Sequence, residues 1–293
     1  MTTNEDQGKF VPRQKRRKLV GRFASVMFFG ATAVGIIALV ILLIDVWNDG
    51  AAYLSRDFLT SFPSRMAARA GIMVPLWGSL WILGFTALFS IPLGVATAIW
   101  LEEYAPPNRW TRTIQMNIAN LAAVPSIVYG ILGLAVFVRA MSLGRSVLSG
   151  ALTLTLLILP VIIIAAQEAL RAVPNSIRLG AYALGATRWQ TISRQVLPIA
   201  FPGVMTGVIL ALSRAVGETA PLIIIGALAY VPFIPSRPGD QFTVLPIQIF
   251  DWISRPQVAF HHLAAAAIMV LLVVLLAFNL IAVLLRNKFT KTL

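Results

Sequence analysis

The chain has 293 residues, 58% of them hydrophobic and 12% charged, with a formal net charge of +13 and no cysteine. A soluble domain carries roughly 25% charged residues, and uncharged runs recur here along the whole length, so the composition is that of a polytopic membrane protein. The lack of cysteine excludes disulfides, thiolate metal sites and cysteine nucleophiles. Because Lys and Arg lie between the apolar runs, topology accounts for the positive charge better than a nucleic-acid surface does.

Residues 1–22 are polar and basic, with PRQKRRK at 12–18. The uncharged run 23–44 follows, and at about 1.5 Å per residue it spans a ~30 Å hydrocarbon core. It is longer than the apolar core of a signal peptide, and no small-x-small cleavage site follows before Asp45, so it reads as an uncleaved first helix. Residues 45–69 are mixed and charged and read as an external loop. The second run, 70–101, holds Pro75 and Pro92 and is closed by EEYAPPNRW at 102–110, where adjacent prolines end a helix. The third run is 113–138, read as one span, and contains NLAAVPSIVYGILGL from Asn120. After a short loop with Arg139 and Arg145 comes the fourth run, 146–167.

A long polar and basic segment occupies 168–199. The fifth run, 201–229, is interrupted only by Arg214 and Glu218. Residues 230–256 are Pro-rich and mixed, the sixth run ends at Leu285, and the tail 286–293 is RNKFTKTL. The expected architecture is all-α with six transmembrane helices. A transmembrane domain at 70–285 carries the cytoplasmic loop 168–199, and the first helix and external loop precede it. With the N-terminus inside, sixteen Lys and Arg fall on cytoplasmic segments and seven on external ones, Arg214 set aside. The positive-inside rule then places both termini in the cytoplasm.

Within 168–199, GAYALGA at 180–186 runs into TRWQ. The small residues Gly180, Ala181, Gly185 and Ala186 leave little side chain over the backbone, so another protein can approach closely. Arg178, Arg188 and Arg194 flank them, and Tyr182 and Trp189 are aromatic anchors. A short helix here is expected to break near Gly185 and to stop at Pro198. The other reading is an ordinary cytoplasmic loop whose arginines set topology.

In the fifth run Gly203, Gly207, Ala211, Arg214 and Glu218 step by four, four, three and four, which puts them on one helix face. Gly203 and Gly207 form a GxxxG pair suited to helix packing. The run's midpoint is near residue 215, so the two charges are expected at the membrane centre, where each costs roughly 2.5–3.5 kcal/mol. They should pair at i, i+4. One reading is a neutralised pair that only pins packing. The other is a gate for an anion, with Arg214 as the attracting group, Glu218 as its counter-charge and Thr219 beside them, and with Pro221 permitting a bend.

Arg171, three residues after Glu168, reads as an interface residue that snorkels, or as a contact for an anion or a partner. His261 and His262 are adjacent, point to different faces and make a poor metal site. Leu245, Ile249, Trp252 and Ile253 are expected on one face of an amphipathic helix outside the membrane, which reads as a membrane-surface helix or as one that also helps receive a partner protein. No GxxxxGK[ST] loop occurs, so active transport must draw energy from a partner.

Two resemblances follow from these residues. The segment before the fifth run resembles the cytoplasmic motif of ABC importer permeases, in which Glu-Ala-Ala, three residues, Gly and nine residues precede Ile-x-Leu-Pro. Ala181, Gly185, Leu197 and Pro198 match it, while Leu179 and Gly180 stand where the motif has Glu and Ala, and Gln195 where it has Ile. The resemblance implies a coupling helix that inserts into a groove of an ATPase subunit. LEEYA at 101–105, NLAAVPSIVYGILGL, AYALGATRWQTI at 181–192, SRAVGETAPLI at 213–223 and LPIQIFDWISRP at 245–256 together resemble the PstA-type permeases of bacterial phosphate ABC importers. That family implies the type I importer permease fold, a place in the bacterial inner membrane and import of inorganic phosphate. The implied partners are a second permease of the PstC type, two ATPase subunits of the PstB type and an extracytoplasmic binding protein of the PstS type. ATP and Mg would then be held by the partner ATPase, with no cofactor, metal or nucleic acid bound by this chain. An ABC permease for sulfate, molybdate or phosphonate and a stand-alone secondary transporter are the alternatives.

Overall fold

The computed structural model describes residues 14–227 and 230–290, which are helices joined by turns with no strand among them. Most of the expected basic tail, the pair at 228–229 and residues 291–293 lie outside the described residues. The chain divides into two units, 1–48 and 49–293. Helix α1 (Gln14–Gly50) makes up the described part of the first unit. Its stretch 23–44 has apolar residues on every side, as a helix surrounded by lipid requires.

In the second unit, α2 (Arg56–Thr60) is capped by Ser55, whose Oγ accepts the Phe58 N–H at 3.1 Å. Helix α3 (Met73–Ile99) buries Val74, Gly78, Ile82, Thr86, Ser90, Gly94 and Ala98, one residue in every four. Most of these are small, so the backbone on that stripe can come close to a neighbour. The helix continues as a π-turn, Trp100–Tyr104, which ends where Ala105 donates to the Trp100 carbonyl at 2.8 Å and Pro106 and Pro107 follow.

The third apolar run is not one straight helix. It forms α4 (Arg109–Ala122) and α5 (Ser126–Gly133), the latter extended by a π-turn to Ala140, with a bend of 103° between them. Pro125 causes the break. It has no N–H to give the Leu121 carbonyl, and it pushes residue 124 away from helical dihedrals. The Tyr129 hydroxyl donates to that carbonyl instead, at 2.8 Å. With this bent pair counted as one span, the described residues hold six candidate spans; five helices qualify singly.

Helix α6 (Val147–Arg171) is the most buried, and its first turn carries a capping box between Ser146 and Ser149. Its inner hydroxyls are satisfied locally: Thr153 donates to the Ser149 carbonyl and Thr155 to the Ala151 carbonyl, both at 2.8 Å. Gly94 of α3 lies against Ile162, and Gly133 of α5 against Thr153. The start of α6 is also covered by the turn 236–240, where Val147 and Leu148 donate to the carbonyls of Asp240 and Pro238. The Asp240 carboxylate holds that turn by accepting the backbone N–H groups of Ser236 and Arg237, at 2.9 and 2.8 Å. The Ser236 bond and then the Arg237 bond hold its pKa below the ordinary carboxylate value. Its contribution is therefore present above the ordinary value and is lost as pH falls through the lowered one.

Beyond α6 come α7 (Asn175–Ala183) and α8 (Arg188–Thr191); a π-turn, Ile192–Val196, joins α8 to α9 (Leu197–Gly217). Contrary to expectation, Pro198 does not stop this helix. The Leu197 N–H already reaches five residues back, to Ile192, and the widened turn accommodates a residue without a donor. The fifth run is also shorter than expected, because α9 ends at Gly217 and a separate helix, α10 (Ala220–Ile225), follows. Pro221 has no N–H for the Gly217 carbonyl, and Gly226, at φ +91°, ends α10 in the left-handed region. Helix α11 (Leu245–Ile253) corrects a further expectation. Leu245, Ile247, Gln248, Ile249 and Trp252 are buried within the protein, whereas Ile253 is exposed, so this is not a membrane-surface helix. Its Trp252 lies between Phe58 and Phe260, the latter on α12 (Val258–Thr290).

Two cores result. The larger joins α3, α6, α9 and α10, and the smaller joins α2, α11 and the start of α12. In the larger one, a Cβ on Gly207 of α9 would lie 2.3 Å from the Ala165 Cβ of α6, and one on Gly203 would lie 2.8 Å from the Ala169 Cβ. Gly207→Leu is therefore expected to lower the stability of the detergent-solubilised chain by about 1–3 kcal/mol. Gly84→Leu, on a face of α3 with nothing within 4 Å, should leave the thermal midpoint unchanged.

Candidate functional site

One candidate region is the turn between α6 and α9. The loop proper is 172–187, since α6 runs to Arg171 and the next long helix starts at Arg188. Helix α7 ends in a Schellman motif: Ala186 donates to the Ala181 carbonyl at 3.1 Å and Gly185 to the Tyr182 carbonyl at 2.9 Å. Gly185 sits at φ +80°, and this is why a glycine is needed there. This conformational role adds to the expected one, since the space beside Gly185 is open. Thr187 then caps α8 reciprocally with Gln190, through bonds of 3.3 and 2.9 Å. Two helices thus meet at a fixed corner around Gly185.

The corner projects apolar side chains outward. Leu184 is 90% exposed, Leu179 61% and Trp189 60%, and Tyr182 is also exposed. Gly180, Ala181 and Ala186 lie on or next to this surface, and a Cβ on Gly180 would meet nothing within 4 Å. The Arg188 guanidinium turns back over the Tyr104 ring, 5.1 Å from its centroid.

Sequence reasoning missed what anchors this corner. Arg178 of α7 donates to Glu103 at 2.7 Å, to the Val173 carbonyl at 2.8 Å and to the Leu170 carbonyl at 2.9 Å. Both charged side chains are largely buried, 15% and 7% exposed, so this is a desolvated, hydrogen-bonded pair rather than a surface contact. It fastens α7 both to the π-turn after α3 and to the last carbonyls of α6. Next to it, Arg171 bridges Glu102 at 2.9 Å and Glu168 at 3.0 Å, so it lies in a charge network and is not simply directed to the membrane surface. A usable signal was the pair of adjacent carboxylates Glu102 and Glu103, two of only 11 acidic residues in the chain.

The second candidate region is the junction of α9 and α10. Arg214 Nε and Glu218 Oε1 are 3.1 Å apart, and the Arg214 side chain is 50% exposed against 17% for Glu218. The pair is not carried on one continuous helix, as the apolar run suggested: Arg214 is in the last turn of α9, and Glu218 is the first residue beyond it, at φ −76° and ψ 115°. Arg214 lies about 25 Å along the axis from Leu197. Thr219 follows at the start of α10, where its hydroxyl contacts the Gly217 carbonyl. Three residues after Glu218, Pro221 packs against α5, with its Cα 2.7 Å from where a Gly130 Cβ would be. The second half of the third run, α5, and the break in the fifth therefore meet at one contact. The Gly203 and Gly207 end of the same helix face is closed by α6, so only its Arg214 end is open.

Among the described residues no group of three or more His, Cys, Asp or Glu is placed to hold a metal ion. His261 Nε2 lies 2.7 Å from the Arg255 carbonyl, while His262 stacks on Tyr53 and lies 3.8 Å from Asp49.

Comparisons with known proteins agree with this architecture. The profile of the family described as binding-protein-dependent transport system inner membrane component matches residues 90–291. The chain is 37% identical to the probable ABC transporter permease protein YqgI of Bacillus subtilis, over 80% of each chain. It is 32% identical to the phosphate transport system permease protein PstA 1 of Mycobacterium tuberculosis (strain H37Rv), over 96% of this chain and 92% of that one. Among solved structures, a bacterial alginate ABC transporter in complex with its alginate-bound periplasmic protein superposes with a TM-score of 0.67 at 19% identity, covering 94% of this chain and 96% of that one. The MetNI methionine ABC transporter, inward facing, gives 0.62 at 17% identity, covering 74% and 94%. At those identities the structures speak for the fold alone, and the sequence match carries the assignment: the chain belongs to the family of inner membrane components of binding-protein-dependent transport systems, as a multi-pass permease.

Proposed function

We propose that this permease conducts inorganic phosphate into the cell as one half of an ATP-driven importer. It works with a second permease, two ATPase subunits and an extracytoplasmic binding protein, and both of its termini are cytoplasmic. The observation that carries the reading is the Arg214–Glu218 pair on an open helix end. A half-exposed guanidinium within a membrane-spanning helix must face protein or water, because lipid does not solvate it. It presents donors in a fork that matches a phosphate oxygen pair. Glu218 neutralises it at rest and repels the anion once Arg214 lets go, so the pair acts as a gate that an incoming phosphate opens by competition. The relatives that share most of this chain's length include proteins named as phosphate transport permeases, which supports phosphate over other oxyanions.

Energy enters at the corner around Gly185. Leu179, Tyr182, Leu184 and Trp189 offer an apolar knob to the ATPase, and Gly180, Ala181, Ala186 and Arg188 complete the docking surface. Leu179 in place of the motif glutamate makes that contact more apolar than is usual for the motif. The Arg178–Glu103 clamp carries movement of the knob into α3 and α6, and the continuous helix from Arg188 to Gly217 carries it to the gate. ATP and Mg stay with the ATPase, and this chain binds no cofactor or metal of its own.

Three outcomes test this reading. In proteoliposomes with partner subunits, Arg214→Ala should lower ATP-dependent phosphate uptake by about ten- to hundredfold, the range for losing one charge-assisted contact; uptake at the normal rate would remove the gate. Leu184→Asp should abolish co-purification of the ATPase while leaving the permease monodisperse; retained ATPase would place docking elsewhere. Glu103→Ala strands a buried guanidinium and should destabilise the chain by about 3–5 kcal/mol. Glu168→Ala, at an exposed position, should cost less than about 1 kcal/mol, and equal shifts of thermal midpoint would contradict the clamp.

A further inference from the structure

Residues 263–285 contain a single polar side chain, Asn279. An amide within so apolar a run is costly unless it is paired. In the structure it faces α9: Asn279 Oδ1 lies against the Ser213 hydroxyl, whose single proton is shared between that oxygen and the Ile209 carbonyl of its own helix, 2.7 Å away. Further along α12, Arg286 Nη1 donates to Thr206 Oγ1 at 3.0 Å. The two contacts are seven residues apart on each helix and run in opposite senses, so one antiparallel register satisfies both. Sliding either helix by a turn breaks both at once. The helix face they define is separate from the Gly203 and Gly207 face on α6, so α9 is held from two sides.

Ser213 immediately precedes Arg214. Successive residues on a helix are set about 100° apart, so fixing the direction of Ser213 fixes the direction in which the Arg214 side chain leaves the helix. The ion pair of Arg214 is with Glu218, four residues on in its own segment, so it does not tie Arg214 to another long helix. We infer that Asn279, acting through Ser213, is a positioning residue for Arg214: it holds the guanidinium toward the open face, and the Thr206–Arg286 contact maintains the same register nearer the other end of α9. This rests on the reading of Arg214 and Glu218 as the anion gate.

The test is a mutant cycle on phosphate uptake by the reconstituted importer, with gel filtration and thermal midpoint recorded for each variant. Ser213→Ala and Asn279→Leu should each lower the maximal uptake rate between about three- and fifteenfold, the span of measured interhelical hydrogen bonds in membranes. The exchanged pair, Ser213→Asn with Asn279→Ser, should recover to within about twofold of the parent. The decisive variant combines Asn279→Leu with Arg214→Ala. If Asn279 acts through Arg214, the combination is no slower than Arg214→Ala alone, because no guanidinium is left to be positioned. Losses that multiply, or an exchanged pair as slow as the single variants, overturn the inference and leave the contact as helix packing only. Normal uptake by Ser213→Ala and Asn279→Leu while Arg214→Ala is impaired overturns it without touching the gate. Normal uptake by Arg214→Ala removes the gate reading and this inference with it.

Discussion

The structure depends on how closely α3 and α9 can approach α6. In lipid no hydrophobic force drives one apolar helix against another, so dispersion contacts and satisfied polar groups must hold them. Here the small residues supply the first. Gly203 and Gly207 lie on Ala169 and Ala165, Gly94 lies on Ile162, and Gly133 on Thr153. The hydroxyls of Thr153 and Thr155 turn onto carbonyls of their own helix, so they do not oppose the packing. With α6 as the post, α9 is fixed along one side and its far end is left to carry the charged pair.

This arrangement separates the two candidate regions by distance and joins them by rigid elements. At one end, the corner at Gly185 has a fixed shape because its Schellman turn and the Thr187–Gln190 box leave few free backbone groups. Arg178 ties the corner to α3 and α6 through a buried ion pair, which is costly to break. At the other end, α9 stops where Gly217 and Pro221 interrupt its hydrogen bonds, and α10 turns aside onto Gly130 of α5. A helix end has unsatisfied groups and fewer neighbours than a helix middle. It is therefore a suitable place for a charged pair that, in the proposed gate, exchanges partners.

The elements readable from sequence were those set by local composition. Five of the apolar runs, the loop between the fourth and fifth, and the Gly and Pro positions of the family motifs each announce themselves within a window of some twenty residues. The spacing of Arg214 and Glu218 was also legible, since an i, i+4 pair is a local relation. What was not legible came from backbone breaks and distant partners. Pro125 bends the third run by 103°, but proline within an apolar run is tolerated elsewhere in this chain: Pro92, Pro160 and Pro202 stay inside helices. Only the surrounding packing decides between the two outcomes. The amphipathic pattern of 245–253 identified a helix but not its cover, because burial by α12 and α3 reads the same as burial by a membrane surface. The Glu103–Arg178 clamp and the Ser213–Asn279 contact link residues far apart in sequence, and no periodicity records such pairs.

In the proposed function this chain forms part of an ATP-driven route for phosphate. The most direct measurement is uptake of labelled phosphate by proteoliposomes holding this permease with its partner permease, ATPase and binding protein, with ATP inside and excess sulfate outside. Phosphate accumulation should require ATP and be unaffected by sulfate. Accumulation of sulfate in place of phosphate, or phosphate flux that proceeds without ATP, would contradict that function.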